Sequence, residues 1–87
     1  MLQLFDVGGV LVRRWVPMHR RLAMESWNGD GWEPYSDVDR VLRYGHLLTE
    51  TRAIELLQEI RGRRSADLAP YTPDEARAAL SDRLRRA

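Results

Sequence analysis

Three side chains offer acid, base or ligand chemistry on a first reading: Asp6, His19 and His46. None has the company that chemistry requires. A zinc site draws three or four converging ligands. Neither histidine stands four residues from another, and Leu47, Leu48 and the helix-capping Thr49 separate His46 from Glu50. The chain has no cysteine, which removes thiolate nucleophiles, disulfides and cysteine-held zinc. All 14 of its basic residues are arginine, so no phosphate loop closes on a lysine. The expectation is a protein that is not an enzyme, with no catalytic residues, no metal and no cofactor.

One string is sharper than the rest. Leu4-Phe5-Asp6-Val7-Gly8-Gly9-Val10-Leu11 resembles the first motif of the haloacid dehalogenase-like hydrolases. That resemblance implies Asp6 as a nucleophile at a strand end, before a tight glycine turn. The family usually places a second aspartate two positions on, where this chain has Gly8, and it also needs a lysine and a downstream acidic pair. The residues read by themselves make Asp6 a hairpin-turn residue, because a short carboxylate accepts backbone N–H groups nearby.

Surface chemistry is the stronger lead. Phe5, Leu11, Trp15 and Trp27 alternate into one face of a strand reading, interleaved with Arg13 and Arg21. Leu2, Leu4, Val10, Val12, Val16, Leu22 and Met24 fall on the other, which the helices are expected to cover; Arg14 sits awkwardly among them. Aromatics beside arginines suit a protein hot spot or base stacking. The candidate partner-binding residues are therefore Phe5, Arg13, Trp15, Arg21, Trp27 and Trp32. A nucleic-acid alternative adds Arg61, Arg63, Arg64, Arg83, Arg85 and Arg86.

The elements that must position these residues divide the chain in two. A β-rich half, 1–35, contains strands at about 2–6, 10–16, 20–27 and 32–34, with a turn at 7–9. Residues 17–26 also admit a helical reading, from Pro17 as a first helical residue. Asn28-Gly29-Asp30-Gly31 is a turn, with Trp27 and Trp32 as a cross-strand pair at its mouth. A helical half, 36–87, contains helices at about 37–44, 50–61 and 73–86. Ser36 is read as the cap of the first, with Gly45 as its stop. Thr49 and Gly62 bound the second, and Thr72, Pro73 and Glu75 form a capping box for the third.

The fold class is thus α+β, a small antiparallel N-terminal meander followed by three helices. That order resembles small peptide-binding winged-helix modules of ribosomal-peptide maturation systems, a resemblance of element order alone.

At 87 residues the chain is one domain, with a core small enough that a partner would help it. Net charge is +1, too little for a strong field toward anions. Its distribution is uneven, −3 over residues 33–60 and +3 over 61–87. No apolar run reaches the ~18 residues that span a bilayer. The composition suits a GC-rich bacterial genome. The function expected is a small cytoplasmic protein-interaction module, an adaptor, accessory subunit or regulator, either with a partner or as a homodimer. Nucleic acid is the alternative partner, and no membrane is expected.

Overall fold

The computed structural model describes residues 1–15 and 24–82. It is an α+β arrangement: a five-stranded antiparallel sheet with three helices. The strands are β1 (Leu2–Val7), β2 (Val10–Trp15), β3 (Met24–Trp27), β4 (Trp32–Pro34) and β5 (Gly45–Leu47). The helices are α1 (Val38–Tyr44), α2 (Glu50–Arg64) and α3 (Pro73–Ser81). Strand order across the sheet is β4-β3-β2-β1-β5. Expectations falling on 16–23, including Val16, Pro17, His19, Arg21 and Leu22, lie outside the described residues, as do Arg83, Arg85 and Arg86.

The β1–β2 turn decides which side chains meet. Gly8 and Gly9 have φ of 60° and 91°, which a two-residue hairpin turn needs and side-chain-bearing residues resist. Asp6 Oδ1 accepts the Gly9 N–H at 2.8 Å, so its carboxylate serves the turn. A turn of two residues rather than three pairs Val7 with Val10, Phe5 with Val12 and Leu4 with Arg13. The expected register is therefore off by one. Phe5 leaves the face carrying Leu11, Arg13, Trp15 and Trp27, and Leu2 and Leu4 join it. Side chains directly opposite in an antiparallel pair share a face, so the single-residue shift reassigns whole rows.

The helices cover both faces. α2 and α3 pack Ala53, Leu56, Leu57, Ala76 and Leu80 against Leu4, Leu11 and Trp27. On the opposite face Val41 of α1 packs with Val7, Val12 and Met24, flanked by Phe5 and Tyr35. The face expected to be open is thus the one under the two longer helices. Arg14 lies on the α1 side, half-buried, and its Nε has no hydrogen-bond partner among the described residues.

Three boundaries differ from expectation. Asp37, not Ser36, caps α1, accepting the Arg40 N–H at 3.0 Å. Gly62 does not stop α2, which runs to Arg64. A helical glycine costs ~1 kcal/mol against alanine. Contacts of Arg61 and Arg64 with the β3–β4 turn offset that. Third, α1 leads directly into β5, a strand inserted between the helices. Gly45 ends α1 as expected, donating its N–H to Val41 O, and a Cβ there would run into that carbonyl. The chain then turns extended and pairs with β1, His46 opposite Asp6 and Leu47 opposite Phe5.

The capping box on α3 forms as the sequence predicts. Glu75 donates its N–H to Thr72 Oγ1, and its carboxylate accepts the Thr72 N–H at 2.9 Å. That backbone bond, then the Thr72 side chain, holds the Glu75 carboxyl below its usual pKa. A depressed folded-state pKa stabilises above the unfolded value of about 4.3, and the benefit is lost as pH falls through the lowered one. Glu75→Gln is therefore expected to flatten the acid limb of stability against pH, read by thermal unfolding across that window. An unchanged acid limb would contradict the assignment.

Candidate functional site

The arginine–aromatic residues do converge, but inside the chain. Arg13 on β2 is 1% exposed. Its Nε donates to Glu25 Oε1 at 2.9 Å, and the cross-strand pairing of Arg13 with Glu25 sets that contact. The rest of the guanidinium reaches α3: one terminal nitrogen donates to Leu80 O at 2.8 Å, the other to Asp82 O at 2.6 Å. These carbonyls belong to the end of α3, where the last turn of a helix lacks internal partners. α3 carries no basic residue in its last turn, so a strand supplies the cation that the helix dipole favours. The guanidinium also lies 4.1 Å from the Trp32 ring centroid and 5.6 Å from that of Trp15.

The tryptophans work the same way. Trp27 and Trp32 form the expected cross-strand pair, ring centroids 5.2 Å apart and tilted by 59°. Trp27 Nε1 donates to Leu57 O at 3.2 Å and Trp32 Nε1 to Ala79 O at 2.8 Å. Each indole thus buries its body against the sheet and fixes one helix through its polar tip. Trp15 is half-buried beside Arg13, and Phe5 is half-buried on the α1 side. Arg21 lies outside the described residues.

Arg61 is a second internal tie. It stacks 4.0 Å from the Tyr71 ring centroid and donates to Ala69 O at 2.8 Å and Gly29 O at 3.1 Å. Gln58 accepts the Tyr71 N–H and donates to Tyr71 O, holding the loop before α3 onto α2. Arg63 and Arg64 remain exposed, although the Arg64 stem lies against Gly29. His46 is exposed on β5, and no group of three or more histidine or acidic side chains positioned to hold a metal exists among the described residues. No helix among them is long and apolar enough to cross a membrane.

The open chemistry lies elsewhere. Among the described residues the exposed large apolar side chains are Met1, Val10, Leu42, Tyr44 and Leu47, the last three at 73%, 59% and 66%. These three fall within six consecutive residues, at the end of α1 and on the edge strand β5. The sequence reading places Leu42 and Tyr44 inside a helix at 37–44 and assigns no element to 45–49, so it does not bring these three side chains together. The available signal was an uncharged, apolar run after a helix-stopping glycine.

Comparison of the sequence with protein families, with curated proteins and with solved structures finds no match.

Proposed function

We propose that this protein is a protein-binding module, an adaptor or accessory subunit, that engages its partner at the β5 edge together with Leu42 and Tyr44. The observation that carries the reading is the position of Leu42, Tyr44 and Leu47, exposed within six residues of one another at a sheet edge that is unpaired among the described residues. Strand addition at such an edge draws affinity from the backbone and specificity from the neighbouring side chains. The expected Arg–Trp surface is a poorer candidate, since Arg13, Trp27 and Trp32 are held by α2 and α3.

Photo-crosslinking in cells tests it. A benzophenone side chain placed at Leu42, Tyr44 or Leu47 is expected to give one common adduct. The same group at the exposed Glu59, on the outer side of α2, is expected to give none. Equal yields from all four positions, or none from any, would contradict the reading.

A further inference from the structure

We infer that the partner seated on β5 is a second copy of this chain, its own β5 antiparallel to the first, with Leu47 facing Leu47 across the twofold axis. This rests on the interaction reading above and narrows it.

The backbone of β5 shows which groups are offered. Leu48 donates its N–H to Leu4 O at 2.7 Å. Bonding alternates along an antiparallel strand, so Leu48 and His46 face β1 while Gly45 and Leu47 face outward. Leu47 therefore presents both N–H and C=O at the edge. Gly45 presents only its carbonyl, because its N–H caps α1.

The opposite edge of the sheet is closed to pairing. Tyr35 donates to Met24 O and Asn28 to Gly31 O, so Ser26 and Glu33 face each other, and Trp32 and Pro34 face outward on β4. Pro34 has no N–H to give, and Glu33 beside it is exposed. Pairing of β5 with the β4 of another copy, which would propagate as a filament, is thereby disfavoured. Pairing of β5 with β5 closes at two copies.

Charge selects a like chain. Tyr44-Gly45-His46-Leu47-Leu48-Thr49 carries no formal charge, and it is bounded by Arg43 before and Glu50 after. Antiparallel self-pairing lays that uncharged run on itself and brings the Arg43 end of one copy to the Glu50 end of the other. No like charges are opposed along the seam.

The available donors select the register. With Leu47 opposite Leu47, each leucine donates to the other's carbonyl, and Thr49 N–H meets the Gly45 carbonyl that is free. The Gly45 N–H is engaged at the end of α1 in either register, so centring on Leu47 leaves four bonds across the seam, whereas centring on His46 leaves only the two from Leu47 N–H to the Gly45 carbonyls. The two Leu47 side chains then cover one another on the α1 side of a continuous ten-stranded sheet.

The chain contains no cysteine, so Leu47→Cys introduces the only one. Hydrogen-bonded antiparallel partners sit about 5.5 Å apart at Cα, within the ~4.4–6.8 Å span of a disulfide. Non-covalent pairing raises the effective thiol concentration, so mild oxidation is expected to couple L47C about ten-fold or more faster than Glu59→Cys. Light scattering of the unaltered chain at rising concentration is expected to approach twice 10.1 kDa. Leu47→Asp, an exposed position, is expected to remain monomeric while folded. Equal coupling rates for L47C and E59C together with a monomer at every concentration would overturn self-pairing. If the benzophenone at Leu47 then captured a different protein, the interaction reading would stand alone; if it captured nothing, both would fall.

Discussion

Arg13→Leu is expected to destabilise the fold by about 3–5 kcal/mol, the cost of breaking one side of a buried ion pair. The substitution removes the buried Arg13–Glu25 ion pair and both short bonds to the end of α3. A domain of this size holds only ~5–15 kcal/mol in all. Each kcal/mol shifts the midpoint by about 4–8 °C, so a Tm fall of about 15 °C or more is expected. Circular dichroism on thermal unfolding measures it. The pattern matters as much as the size. Adding Glu25→Leu to Arg13→Leu is expected to recover the part due to the broken ion pair, but not the loss of α3 anchoring. Hydrogen exchange in α3 should therefore stay faster in the double variant than in the parent. Full recovery of α3 protection would show that Arg13 matters only as a counter-ion.

Trp27→Ala is expected to cost a similar ~3–5 kcal/mol, the range for truncating a large buried aromatic. Trp27 is 5% exposed; it bonds to Leu57 O of α2 and packs against the rings of Trp32 on β4 and Tyr71 in the loop before α3. Trp27→Phe separates the two contributions. It keeps much of the aromatic packing and loses the indole N–H bond, worth ~1 kcal/mol. Urea unfolding should place the alanine variant far below the phenylalanine one. Near-equal midpoints would mean that the hydrogen bond, not the packing, holds α2 to the sheet. Trp27 and Arg13 share Trp32 as a neighbour, so the double loss should depart from the sum of the singles.

Much of the architecture was legible because local chemistry agreed with the final structure. The glycine turn, the Trp27–Trp32 pair, the Thr49 cap and the Thr72–Glu75 box all follow from residues within a few positions of one another. What escaped was set at longer range. Whether Gly8-Gly9 makes a two- or three-residue turn changes the face of every strand residue, and composition does not distinguish the two. Arg13 looked like a surface anchor because its partners, Glu25 and the α3 carbonyls, are 12 to 69 positions away. Gly62 looked like a stop because the contacts that carry α2 past it come from the β3–β4 turn. β5 has three residues, too few to show an alternating pattern, and only its pairing with β1 defines it. Of the residues singled out for partner binding, Arg13, Trp27 and Trp32 hold the helices to the sheet, while the exposed Leu42, Tyr44 and Leu47 were not singled out.

The exchange rate of the Leu47 amide against protein concentration tests the central claim most directly. Leu47 N–H faces away from β1 and has no partner among the described residues, so in dilute solution it should exchange as fast as an open edge amide. Self-pairing through β5 predicts that its exchange slows as concentration rises, while the Leu48 amide, already bonded to Leu4, changes far less. A Leu47 amide that exchanges fast and equally at every concentration would contradict the account.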